Sequence, residues 1–125
     1  MTTDADLERY RLHAEICKVL TDPKRLGLLN ALRDGERTVG DLAVALGIPL
    51  PNASQHLAVL RSAGLVDSRR AGASVRYRLA EPAILDACDI VGGIVDRRLR
   101  DRPGVTDGFP QGAVTVSPVP AASAH

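Results

Sequence analysis

Four polar side chains between residues 52 and 56 form the part of this chain best suited to specific recognition. The nearby apolar residues Ala53, Leu57 and Leu60 have the spacing of one buried helix face. A helix that buries them leaves the polar side chains near its outer face, in its first turns. Amide side chains pair with adenine edges, and Ser and His contact phosphate or a base. The four predicted DNA-contacting residues are Asn52, Ser54, Gln55 and His56.

A basic segment overlaps and follows this run. Between Ser54 and Leu79 the chain has five arginines and a single carboxylate, Asp67, so the segment carries a net charge of +4, whereas the whole chain carries +1. Such a concentration can be an ordinary solvated face, but its clustering favours contact with the phosphate backbone. The predicted phosphate-contacting residues are Arg61, Arg69, Arg70 and Arg76.

The elements that must position these side chains have clear sequence signals. Thr38 can cap a short helix that ends at Gly47, and Pro51 lies in the first turn of a second helix that ends at Gly64. Beyond Gly64 the pattern alternates over residues 65–70 and 74–79, which predicts two strands joined by a turn at residues 71–73. Two helices joined by a glycine turn and followed by a basic hairpin suit major-groove reading.

Three further helices are predicted around this unit. The first spans residues 5–20, the second begins at Asp22 and Pro23, and the last runs from Pro82 to about Asp101. The fold class is therefore mainly α with a small β-hairpin, with about five helices and a two-stranded wing. Residues 1–4 are expected to be flexible, residues 5–102 to form one DNA-binding and dimerisation domain, and the Pro-, Gly- and Ala-rich residues 103–125 to be disordered.

These motifs together resemble the ArsR-type (ArsR/SmtB) winged helix-turn-helix regulators of bacteria over about residues 7–95. The resemblance implies a homodimer that pairs through its first and last helices. It also implies a sequence-specific transcriptional regulator, acting as a repressor on an imperfect palindrome of double-stranded DNA and released by a small inducer. The motifs are Asp22-Pro23-Lys24-Arg25-Leu26, Val39-Gly40-Asp41-Leu42-Ala43, Ser54-Gln55-His56-Leu57, Ala63-Gly64-Leu65-Val66 and Tyr77-Arg78-Leu79.

The family's usual sensor residues are absent from the matching positions. Asp41-Leu42-Ala43-Val44-Ala45 lacks the thiolates of one metal-sensing motif, and Asn30 stands where persulfide sensors have a cysteine. The last-helix metal positions fall on Glu81, Ala83, Ile94 and Arg97, which cannot hold a borderline metal.

Two cysteines remain as candidate effector residues, and three readings of them stay open. Cys17 and Cys88 can be small buried core residues, as free cysteines usually are, or a thiol-redox or persulfide sensor. Alternatively, His13, one helical turn before Cys17, could join the two thiols to hold a soft metal ion. No cofactor is expected to be required for the fold.

Composition limits the other classes of function. There is no apolar run near 18 residues and no signal-peptide pattern, so we expect a cytoplasmic protein with no membrane partner. Neither a Cys-x-x-Cys motif nor a Ser/His/Asp set is present, so we expect no enzyme. The alternative function is a winged-helix module for protein–protein interaction that binds no DNA; the basic segment argues against it.

Overall fold

The computed structural model describes residues 1–102, which contain five helices and three strands. The elements are α1 (Asp4–Val19), α2 (Pro23–Ala31), β1 (Arg37–Thr38), α3 (Val39–Leu46), α4 (Leu50–Ser62), β2 (Val66–Ala71), β3 (Ser74–Leu79) and α5 (Ala83–Arg100). They fall into two compact units, one of residues 1–82 and one that begins at Ala83 and contains α5. The predicted tail at residues 103–125 lies outside the described residues.

The starts of α1 and α2 follow from their capping residues. Thr3 caps α1 through a reciprocal pair of hydrogen bonds with Asp6, so the helix begins at Asp4, and Thr3, one of the residues expected to be flexible, is hydrogen-bonded. Asp22 caps α2 by accepting from the backbone N–H groups of Lys24 at 2.8 Å and Arg25 at 3.3 Å. Pro23 occupies the first position of α2, as predicted.

The core of the first unit lies where α2, α3, α4 and β2 meet. Helix α3 packs against α2 and α4, and α4 also packs against β2. Ala53, Leu57 and Leu60 are fully buried, as their spacing predicted. The fully buried large side chains are Leu28, Leu29, Leu32, Leu42, Leu57, Leu60 and Val66.

Helix α1 contributes little to this core. None of its residues is buried, and Leu7, Tyr10, Leu12 and Ile16 are all exposed. Several of its apolar side chains therefore remain open to solvent within the first unit.

The sheet is antiparallel and has three strands in the order β1-β3-β2. The predicted hairpin is present as β2 and β3, joined by Gly72 and Ala73, and Gly72 adopts a left-handed φ of 65°. The third strand, β1, was not predicted. It has only two residues, which is too short to produce an alternating pattern in the sequence.

The second unit contains the single described helix α5. It begins just after Pro82 and carries basic residues in its last turn, where positive charge suits the carbonyl end of a helix. Ile90, Val91, Ile94 and Val95 are exposed. Within residues 1–102, no helix is both long enough and apolar enough to cross a bilayer.

Candidate nucleic-acid interface

The N-terminal half of α4 presents a row of polar side chains to solvent. Asn52, Ser54 and Gln55 are exposed, while Ala53 and Leu57 between and beyond them are fully buried. Because the apolar face of α4 is buried in the core, the opposite face, which carries these polar side chains, points to solvent. The start of the helix is weakly capped, since Pro49 stands at the N-cap and offers no side-chain acceptor.

His56 has a different environment from these neighbours. It is half-buried, and its Nδ1 lies 3.4 Å from Nη1 of Arg25 on α2. Because a guanidinium can only donate, this contact requires Nδ1 to accept. Arg25 is itself held by a 2.6 Å hydrogen bond from its Nε to the carbonyl of Val19. The contact joins α4 to α2, so His56 is less available to DNA than Gln55.

The carboxyl of Asp22 lies in the same electrostatic environment. Partial burial alone would raise its pKa, but the backbone N–H groups of Lys24 and Arg25 and the charges of His56 and Arg25 bring the pKa below its ordinary value. Asp22 therefore stays ionised at neutral pH and adds negative charge beside the guanidinium of Arg25.

The hairpin that follows α4 divides its arginines between two faces. Residues directly opposite each other in the register share a face, and faces alternate along each strand. We define the inner face by Val66, Ser68 and Arg70 of β2, and the outer face by Asp67 and Arg69. Across from them, β3 places Leu79, Tyr77 and Val75 on the inner face and Arg78, Arg76 and Ser74 on the outer face.

The inner face is the one that meets α4. Val66 is fully buried, and the hydroxyl of Ser68 accepts a 2.8 Å hydrogen bond from Nη1 of Arg61 in the last turns of α4. By alternation Arg70 points to this same side, two residues nearer the tip. Arg61 and Arg70 therefore lie on the side of the hairpin that meets α4, and Arg37 of β1, paired with Tyr77, belongs to the same face of the sheet.

The outer face carries carboxylates among its arginines. Arg69 donates from Nε and Nη2 to the two carboxylate oxygens of Glu36, each at 2.8 Å. Arg78 and Asp67 form a longer ion pair at 3.9 Å. The hydrogen bond from Arg69 and the charges of Arg69, Arg76 and Arg78 lower the pKa of Glu36, and Glu36 in turn raises the pKa of Arg69. Both partners stay charged at neutral pH.

The structure thus keeps together some of the predicted residues and separates others. Arg61 and Arg70 lie on the side of the hairpin that meets α4, which also carries the row of polar side chains. Arg69 and Arg76 lie on the opposite, outer face of the hairpin. Sequence reasoning missed Glu36 and Arg25, because each acts through a contact between residues more than 30 positions apart.

The candidate effector residues are reduced thiols and an exposed imidazole. Cys17 is exposed on α1, one turn after the exposed His13, and Cys88 is half-buried on α5. Within residues 1–102, no three His, Cys, Asp or Glu side chains are grouped so that they could hold a metal ion. The reading in which His13, Cys17 and Cys88 hold a soft metal ion stays a prediction.

Comparison with known proteins identifies the family. The model of the bacterial regulatory proteins of the arsR family matches residues 22–68, from the N-cap of α2 into β2. Rv0081 of Mycobacterium tuberculosis, named as an uncharacterized HTH-type transcriptional regulator, is 36% identical over 104 residues, which cover 82% of this chain and 91% of that protein. The chain belongs to the ArsR family.

Solved structures of ArsR-like proteins agree with the fold. The homodimeric winged helix-turn-helix DNA-binding domain of Mb0332 from Mycobacterium bovis matches with a TM-score of 0.69 and 33% identity, covering 81% of this chain and 94% of that one. The transcriptional repressor BigR from Xylella fastidiosa matches with a TM-score of 0.60 and 40% identity, covering 71% and 95%. The fold is a winged helix-turn-helix, and ArsR membership places the chain among transcriptional regulators and not among enzymes.

Proposed function

We propose that this ArsR-family chain is a homodimeric, sequence-specific DNA-binding repressor of the cytoplasm that releases its operator when a small inducer binds. The observation that carries the proposal is the row of exposed Asn52, Ser54 and Gln55 on a helix whose opposite face is fully buried. A side chain on such a rigid helix can be held at a base edge without a large entropic cost.

Charge next to this row supports the same function. Arg61 and Arg70 lie on the side of the wing that meets α4, so they can approach the phosphates that flank a major groove occupied by α4. Phosphate contacts of this kind supply affinity and orientation, and base contacts supply specificity.

Exposed apolar side chains support self-association. Helix α1 has no buried residue, and α5 leaves Ile90 and Val91 70% and 58% exposed. An open groove of about 430 Å³ between α1 and α4 is lined mainly by apolar residues, including Leu12, Ile16 and Val59. A second copy that covers these surfaces would give a two-fold dimer with recognition helices about 34–36 Å apart, which suits an imperfect palindrome.

A binding titration against salt tests the proposed function. Fluorescence anisotropy is measured with the duplex upstream of the protein's own gene and with a scrambled duplex of equal length. We expect the upstream duplex to bind more tightly, by about 10³-fold or more, with affinity that falls steeply as salt rises. Absence of binding to either duplex would favour the protein–protein interaction module instead. Equal binding to both duplexes at every salt concentration would contradict sequence-specific recognition.

The inducer is proposed from the remaining cysteines. The exposure of Cys17 supports a thiol-redox or persulfide response, because an accessible thiol can react. A soft metal held by His13, Cys17 and Cys88 is the second proposal, and it needs ligands contributed by more than one helix.

A further inference from the structure

We propose that Glu36 and Arg69 form a strut that fixes the position of the wing, and that Arg70 makes the wing's phosphate contact. The inference rests on the proposed DNA binding and deepens it, since it assigns different roles to two adjacent arginines. The sequence alone treats these two residues as equivalent members of one basic hairpin.

The side chains of Glu36 and Arg69 meet in a bidentate geometry. Two parallel hydrogen bonds of 2.8 Å join one guanidinium edge to both carboxylate oxygens, which is the strongest arrangement this pair of side chains can make. The side chain of Glu36 is only 25% exposed, whereas that of Arg69 is 56% exposed. Both side chains keep contact with solvent, so it is the bidentate geometry that distinguishes the pair from an ordinary surface ion pair.

The Glu36–Arg69 pair connects the two edges of the three-stranded sheet. Glu36 immediately precedes β1, and β1 pairs with β3, while Arg69 lies on β2 at the other edge of the sheet. The pair therefore reaches across β3 and ties the loop after α2 to the strand that leads into the wing tip. The pair adds a side-chain tie to the packing of β2 on α4 and the pairing of β3 with β1, and so further limits twisting of the hairpin.

The inner and outer faces of the hairpin differ in charge. The outer face combines Arg69, Arg76 and Arg78 with Asp67 and with Glu36, so a phosphate that approached Arg69 would meet a carboxylate already bound to it. Within residues 1–102, Arg70 takes part in no ion pair, and it points to the side that meets α4. Among residues 1–102, no carboxylate therefore competes with the DNA backbone for its charge.

If Arg69 itself contacts phosphate, the expected change in DNA affinity on removal of Glu36 has the opposite sign. If Arg69 were the phosphate contact, Glu36 would act as an internal competitor for it, and removal of Glu36 would strengthen DNA binding. If the pair is a strut, removal of either partner loosens the wing and weakens binding. The sign of the effect of Glu36→Ala thus separates the two roles.

The test measures the salt dependence of operator binding for full-length wild type and for the Arg70→Gln, Arg69→Gln, Glu36→Ala and Glu36→Ala/Arg69→Gln variants. We expect Arg70→Gln to reduce the slope of log affinity against log salt by about 0.9, the value of one phosphate contact. We expect Arg69→Gln and Glu36→Ala to leave the slope unchanged, to weaken binding by about two- to fivefold each, and to show no further loss when combined.

Two more measurements separate a positioning role from a general loss of stability. Amide hydrogen exchange in β2 and β3 should rise in Glu36→Ala and Arg69→Gln but not in Arg70→Gln, while exchange in α2 stays unchanged. The charge-swapped variant Glu36→Arg/Arg69→Glu should recover part of the affinity. Recovery is expected only if the pair itself matters.

The inference is overturned if Arg69→Gln reduces the slope while Arg70→Gln does not, or if Glu36→Ala binds the operator more tightly than wild type. Those results require a wild-type protein that binds DNA, so they leave the proposed function intact. Failure of wild type to bind any duplex would instead remove the proposed function, and with it the role assigned to Arg70.

Discussion

Gln55 and His56 are adjacent in α4 but meet different surroundings. Gln55 is exposed, whereas His56 is half-buried with its Nδ1 near Arg25 of α2. The sequence could place both on one helix, because helical spacing is a local property. It could not predict the Arg25 contact, which joins residues 31 positions apart. The role of His56 as a DNA contact stays a prediction.

The exposure of Gln55 leads to a prediction about specificity. We expect Gln55→Ala to lose discrimination at one base pair, equivalent to about 1–3 kcal/mol, because its amide can form paired hydrogen bonds with an adenine edge. The measurement is a competition assay against operators that carry each single-base substitution. Val44→Ala, at a side chain of α3 that is 82% exposed, is the control and should keep the wild-type preference. Equal weakening on every operator would show that Gln55 does not read a base.

The thiols give a second prediction at this scale. A Cys17→Ser/Cys88→Ser variant should bind the operator as wild type does but should no longer release it on exposure to oxidant, persulfide or a soft metal ion. Thiol groups are the reactive species in each of these responses, and serine cannot replace them. Operator release is followed by anisotropy as the effector is added. A variant that responds as wild type does would exclude both cysteines from sensing.

At the scale of elements, the helix ends were predicted more accurately than the sheet. Thr38, Asp22 and Gly47 act as caps through bonds to nearby residues, so their sequence signals are local and reliable. Strand β1 depends on pairing with β3, about 40 residues later, and two residues cannot signal that pairing. Glu36 was overlooked for the same reason, since its partner is 33 positions away.

Gly47 gives a prediction about the turn between α3 and α4. Its φ of 66° lies in the left-handed region, so Gly47→Ala should lower the free energy of unfolding by about 1–2 kcal/mol. Gly40→Ala is a matched control in α3, where an added Cβ would meet only Thr38 Oγ1 at 3.8 Å. That change should be neutral or stabilising by up to about 1 kcal/mol. Urea denaturation followed by circular dichroism measures the free energy of unfolding of both variants. A Gly47→Ala protein as stable as wild type would contradict the left-handed conformation of residue 47.

At the scale of the whole molecule, the exposed apolar residues of α1 predict that folding and self-association are linked. Leu12 is 51% exposed. If a second copy covers it, Leu12→Glu should raise the dimer dissociation constant by roughly 100-fold or more, since each subunit loses about 1.5–3 kcal/mol of apolar burial and gains a buried charge. Sedimentation equilibrium measures the change. Lys18→Glu on the same helix should remain dimeric, and a dimeric Leu12→Glu protein would place the interface elsewhere.

The central claim is that two copies of α4 read successive major grooves of one duplex. Hydroxyl-radical footprinting of the wild-type protein on the DNA upstream of its own gene tests this most directly. We predict two protected patches centred one helical turn apart, about 10–10.5 base pairs, with one dimer bound per site and further protection at the flanks where Arg70 meets the backbone. A single patch from a bound monomer, or no protection at any salt concentration that keeps the protein folded, would contradict the account.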